Sequence, residues 1–168
     1  MFPRSHARAS QIAYVTNDLE RALEIWRDEF DVPEFYVFAN DAPGLVSSLP
    51  FELKIALANV GGIEIELIEP IGSTAPLHAE PLPADGSFAM CFHHVAMRIE
   101  GTLADFEAHM ASLDPARHPV VWSGSMGDLM RYAYTDERRT LGHYVEHVWF
   151  DAEFYGQLAA AIPVYPGR

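Results

Sequence analysis

The chain has 168 residues, 49% apolar and 21% charged, which suits a globular fold with a real core rather than disorder. Eleven basic against 24 acidic residues leave a net charge of -13, which disfavours phosphate backbones and anionic lipid, so neither nucleic acid nor membrane is expected as a partner. A single cysteine, Cys91, excludes an internal disulfide; with a polar, basic start and no apolar run of membrane length, the expectation is a cytoplasmic protein.

Residues 10–16 alternate like a strand. Asn17 and Asp18 then offer a helix N-cap, with Glu20 as the capping-box partner of Asn17. Leu19, Ala22, Leu23, Trp26 and Phe30 recur at helical spacing, and Asp31 and Pro33 end the helix. Residues 34–38 are strand-like, and residues 40–50 form a turn-rich loop. Strands over 51–60 and 63–69 are joined by Gly61-Gly62 as a tight hairpin.

Residues 70–87 hold four prolines and two glycines and are the clearest linker. The order then repeats: a strand over 91–99, a helix from about Thr102 to Leu113, and strands near 118–123, 129–136 and 143–150. Asp151 caps a short terminal helix that Pro163 stops. This predicts an α+β fold of two tandem β-α-β-β-β modules, residues 1–70 and 88–168, joined by the linker 71–87 and acting as one functional domain. Pairing of the modules within one chain or across a homodimer is left open.

Equivalent points of the two copies carry polar groups. From Gln11 to Glu66 is 55 positions and from His94 to Glu146 is 52. Strand alternation puts Glu64, Glu66 and Ile68 on one face, opposite Ile63, Ile65 and Leu67. It likewise puts Phe92, His94, Ala96 and Arg98 opposite His93, Val95, Met97 and Ile99. Glu146 shares its face with Tyr144, Val148 and Phe150, a setting costly for a carboxylate unless it is paired or metal-bound.

Taken singly, each of these residues reads as a solvated or satisfied strand polar group. Together, Gln11, Glu66, His94 and Glu146 offer three oxygens, one nitrogen and two negative charges. That set suits one divalent ion of zinc, nickel, cobalt, manganese, magnesium or iron, and leaves positions for substrate. Arg98 either holds a substrate carboxylate or phosphate, or pairs with Glu64 or another strand acid. His143-Tyr-Val-Glu146-His147 spells a zinc-protease pattern, but Gly142 and the surrounding β-formers place it on a strand, where Glu146 points away from both histidines. Gly124-Ser-Met-Gly127 reads as a hairpin connection, Asp136-Glu-Arg-Arg139 as a solvated turn, and Cys91 as structural.

At these residues the sequence resembles the vicinal oxygen chelate superfamily of glyoxalase I, methylmalonyl-CoA epimerase, extradiol dioxygenases and bleomycin-resistance proteins. The likeness runs over about residues 8–150 through Gln11-Ile-Ala-Tyr-Val, Ile65-Glu-Leu-Ile-Glu-Pro70, Phe92-His-His-Val-Ala96 and Gly142-His-Tyr-Val-Glu146. It implies a cupped mixed sheet with helices outside, and metal ligands at Gln11, Glu66, His94 and Glu146. It further implies a metal-dependent isomerase, epimerase or lyase that abstracts a proton beside the carbonyl of a small carbonyl or acyl substrate. Glu146, then Glu66, is the base. The order Gln, Glu, His, Glu resembles one form of glyoxalase I, yet the positions of its glutathione arginines hold Val15 and Met90. Gln11 stands where ring-cleaving dioxygenases have histidine. A metal-free, ligand-trapping protein and an iron dioxygenase are the alternatives.

Overall fold

Two β-α-β-β-β runs lie edge to edge in a computed structural model that describes residues 7–72 and 75–166. The first run is β1 (Ala7–Thr16), α1 (Leu19–Phe30), β2 (Tyr36–Ala39), a short β3 (Leu45–Ser47), β4 (Leu53–Val60) and β5 (Ile63–Pro70). A one-turn helix, α2 (Pro76–Ala79), follows. The second run is β6 (Met90–Ile99), α3 (Leu103–Ala111), β7 (Val120–Met126), β8 (Met130–Asp136) and β9 (Tyr144–Phe150), and the chain continues through α4 (Ala152–Ala161) into β10 (Val164–Tyr165). The polar start, residues 1–6, and linker positions 73 and 74 lie outside the described residues.

Among the described residues, ten strands form one curled mixed sheet in the order β10-β4-β5-β1-β6-β9-β8-β7-β3, with β2 also on β4. The runs meet where β1 and β6 pair antiparallel, within one chain. Each run then pairs its first and last strands in parallel, β1 with β5 and β6 with β9. Because β5 covers one edge of β4 from Leu53 to Val60, the opposite edge carries β2 along Lys54 to Leu57 and β10 at Asn59 and Val60.

Helix α1 forms on its apolar stripe. Asp18, not Asn17, is its N-cap, accepting from the Arg21 N–H, while Asn17 bridges across to Ser87 and Ala89. Left-handed Asp31 (φ 58°) ends it and lets the Val32 N–H reach the Trp26 carbonyl. Leu19 and Ala22 pack on Ile65 and Leu67, so the face of β5 opposite its glutamates is covered as alternation predicts. Helix α3 is fastened by a full Thr102–Asp105 capping box and buries Phe106 against Ile99 and Trp149. A fully buried leucine or phenylalanine contributes about 1.5–3 kcal/mol. These two packings set the outer layer, and the polar strand faces turn into the cup. Gly61 and Gly62 both take positive φ, as a two-residue hairpin of this hand requires.

Three stretches depart from the sequence expectation. The loop over 40–50 contains β3, which leaves its own run to pair with β7. The linker contains α2, whose flanking Ala75 and own His78 are 2% and 1% exposed in the cup-side core. In the 136–139 turn Glu137 is buried and bonded to His118 at 2.8 Å, and Arg138 bridges Asp136 to Glu80. Each is a long-range contact that local composition does not encode. Among the described residues no helix is long and apolar enough to cross a membrane.

Candidate active site on the floor of the cup

Strand register places the polar groups in two neighbouring rows. Tyr134, Glu146, Ala96, Gln11, Glu64 and Asn59 are successive cross-strand partners from β8 through β9, β6, β1 and β5 to β4. Tyr144, His94, Ala13, Glu66 and Leu57 form the next row. Directly paired residues share a face, so both rows look into the cup. At the centre stand two fully buried alanines, Ala13 and Ala96, whose small side chains leave room for longer ones to converge over them.

Two β-bulges complete the floor. In β1 the register jumps from Ala9 to Gln11 past Ser10, and in β6 it jumps from Phe92 to His94 past His93. A bulge turns two consecutive side chains toward one side. His93 therefore leaves the outer face that simple alternation assigns it. It lies instead in the cup, 2% exposed, stacked on His78 at 4.7 Å and tilted against Tyr144 at 5.1 Å.

The side chains meet at His94. Its Nε2 lies 3.4 Å from Glu66 Oε2 and 3.6 Å from Glu146 Oε2, with the Tyr134 hydroxyl at 3.4 Å. The Gln11 amide donates to Glu66, and Tyr134 donates to Glu146. Burial, with Glu146 and Glu64 nearby, pushes Glu66 well above the ordinary carboxylate range. Burial likewise raises Glu146 to about 7 against the Tyr134 hydrogen bond. Glu64 rises to about 7 through burial and Glu146, opposed by Arg98.

His94 is held down to about 3 by burial, with His143 adding to the shift, so its carboxylate contacts are not ion pairs. The hydrogen bonds then assign its tautomer. His93 Nε2 lies 3.1 Å from the Leu77 carbonyl, which can only accept, so that nitrogen carries the proton. A neutral His93 leaves Nδ1 bare, and His94 Nδ1, 2.8 Å away, must donate to it. His94 Nε2 is thus an unprotonated lone pair facing two carboxylates. The Tyr134 hydroxyl, protons on those carboxylates, or a cation among them can balance it.

Gln11, Glu66, His94 and Glu146, which the sequence singled out, are together at this point. Arg98 is also in the cup, one register step from the Glu146 row, with its guanidinium 4.2 Å from the Tyr155 ring centre and 3.5 Å from Glu100. Its Nη1 is buried without a partner. Three residues were missed as site members. Glu64 was on the correct face but had no counterpart in the second copy. Tyr134 is placed only by the β8–β9 register, and His93 was hidden by its bulge.

Among the described residues, no three His, Cys, Asp or Glu side chains are disposed as a ready metal-holding group. The donor chemistry nevertheless fits a divalent ion of borderline or hard character: one imidazole lone pair, two carboxylates and an amide oxygen.

Residues 10–134 match the profile of the Glyoxalase/Bleomycin resistance protein/Dioxygenase superfamily. The chain belongs to this superfamily. None of the curated protein sequences matches it. Among solved structures, the methylmalonyl-CoA epimerase of Mycobacterium tuberculosis is 16% identical at a TM-score of 0.63, over 93% of this chain and 97% of that one. A methylmalonyl-CoA epimerase in complex with methylmalonyl-CoA and ammonium is 21% identical at a TM-score of 0.59, over 88% of this chain and 97% of that one. A Streptomyces coelicolor epimerase variant bound to 2-nitronate-propionyl-CoA gives 20% and 0.59, over 88% and 97%. At these identities the likeness is one of fold.

In this member of the superfamily the floor opens into a cavity of about 490 Å³, within the ordinary range for small-molecule sites. Phe51, Trp122 and Tyr132 supply its aromatic wall. Phe154, Tyr155 and Leu158 of α4 cover it from the other side. The expected outer helices are α1 and α3; α2 and α4 instead contribute to the cavity.

Proposed function

We propose that the chain is a metal-dependent isomerase or epimerase that moves a proton on the carbon beside a carbonyl. The observation that carries this reading is the bare His94 Nε2 facing two buried carboxylates beside the Gln11 amide. Gln11, Glu66, His94 and Glu146 would hold one divalent ion, and such an ion supplies Lewis-acid polarisation of the substrate carbonyl.

Glu146 serves as the base. A carboxylate held on a dication is a poor base, so Glu146 would act once substrate binding loosens it, when its burial again favours the proton. The C–H proton passes to a Glu146 oxygen and the bonding electrons pass into the substrate carbonyl. Tyr134 orients that carboxylate through its hydroxyl. Glu66, contributed by the other module, returns a proton; inversion at carbon requires that it do so from the face opposite Glu146. Arg98 meets an anionic group on the substrate with its unpartnered Nη1. The aromatic wall and α4 keep water from the reacting carbon.

Fold neighbours that carry acyl-CoA ligands make acyl thioesters the first compounds to try, with 2-oxo compounds next. Elemental analysis of the untagged protein is expected to give about one divalent ion per chain, lost in Glu66→Ala and in His94→Ala. Glu146→Gln is expected to slow turnover by roughly 100-fold or more. A protein that takes up no zinc, nickel, cobalt or manganese, yet binds a planar ligand stoichiometrically, is a trapping protein. A Glu146→Gln enzyme with full turnover removes Glu146 as base.

A further inference from the structure

We infer that His93 is a positioning residue, which fixes the tautomer and ring direction of His94 so that the Nε2 lone pair is presented to the floor of the cup. The inference rests on the metal reading above for its purpose, but its geometry stands without it.

His93 is not itself available as a ligand, because both ring nitrogens are engaged. Nε2 donates to the Leu77 carbonyl at 3.1 Å and Nδ1 receives the His94 Nδ1–H at 2.8 Å. The ring is clamped between His78 at 4.7 Å, nearly parallel at 20°, and Tyr144 at 5.1 Å. Two of these four contacts, Leu77 and His78, come from the Pro-rich connection between the modules. That connection is in turn fastened across the cup. Glu80, just past α2, accepts from the Tyr144 hydroxyl at 3.1 Å and from Arg138 at 2.7 Å, and the Arg138 guanidinium lies 4.7 Å over the Tyr144 ring.

The β-bulge makes the arrangement geometrically accessible. In a regular strand His93 would point away from His94. The bulge lets two adjacent imidazoles on one strand bond edge to edge on one side of the sheet. A histidine ligand ordinarily needs a second group to hold its other nitrogen. Here that group is the preceding residue, and its own anchor is a backbone carbonyl on a different element.

Two measurements test this. In metal-free, ¹⁵N-histidine-labelled wild-type protein near neutral pH, two-bond ¹⁵N–¹H correlations should show His94 protonated on Nδ1 and bare on Nε2. A proton on Nε2 overturns the inference, whatever any variant does. Cobalt titration then compares wild type with His93→Asn, whose Oδ1 can accept in place of Nδ1, and His93→Phe, which keeps a ring but cannot accept. His93→Phe should bind cobalt roughly 10- to 100-fold more weakly, and His93→Asn should stay close to wild type. Equal affinity in wild type and His93→Phe overturns the proposal, and so does equal loss in both variants. If wild type binds no cobalt, the metal reading fails, and the tautomer measurement alone decides the role of His93.

Discussion

Glu146 illustrates how a strand position becomes a titrating site. Its side chain is only 13% exposed, and burial raises it from an ordinary 4.5 to about 7. In the unfolded chain it ionises at the ordinary value, so between 4.5 and 7 the folded state holds more protons than the unfolded one. Folding stability from this group is therefore greatest at low pH and falls as pH rises through that window. Glu146→Gln removes this dependence and also relieves Glu64 and Glu66, which Glu146 pushes up, while the buried histidines, lowered alike in both proteins, cancel from the comparison. In urea unfolding of the metal-free proteins, the variant should gain on wild type between about pH 4.5 and 7.5, by at most roughly 3 kcal/mol. A stability difference that stays flat with pH would mean that the fold does not raise Glu146. Which residues face the cup was readable from alternation for Glu64, Glu66, His94 and Glu146. It was misread for His93, because a bulge changes the count without changing the residue types.

At the scale of elements, β3 shows what local propensity misses. Residues 40–50 carry turn formers, yet Leu45–Ser47 pair with Met126–Gly124 on the far edge of the other module. Gly124 is the contact that allows it. A Cβ there would lie within 2.5 Å of the Val46 carbonyl and inside contact distance of the Tyr132 hydroxyl. Neither the paired backbone nor the buried tyrosine can move freely. Gly124→Ala is expected to cost roughly 1–3 kcal/mol of stability and to raise amide exchange in residues 45–47. An unchanged melting temperature would mean that β3 detaches without consequence. The turn expected at this point lies slightly later, over residues 127–129, since Gly124 to Met126 are already strand.

At the scale of the molecule, the two modules exchange edges as well as meeting at β1 and β6. The first module lends β3 to β7, and the chain beyond the second returns β10 to β4. We expect one cooperative unfolding transition. Far-ultraviolet circular dichroism and tryptophan fluorescence should give coincident midpoints, because Trp26 belongs to the first module and Trp122 and Trp149 to the second. Two separated midpoints would show that each module folds alone. The same exchange brings Leu45 and Phe51 of the crossing segment onto the wall of the cavity.

The sequence by itself determined the repeated element order, the apolar stripes that place α1 and α3 outside, and the four polar positions on inward strand faces. All of these follow from short-range periodicity, in which a residue's direction depends on its neighbours within one element. Only the tertiary structure decided that Glu66 from one module and Glu146 from the other reach one imidazole. It alone supplied the bulge at His93, the anchoring of that ring by Leu77, and the placing of β3 and α4 on the cavity wall. These depend on pairing partners tens of residues away, and register between distant strands is set by the packed whole.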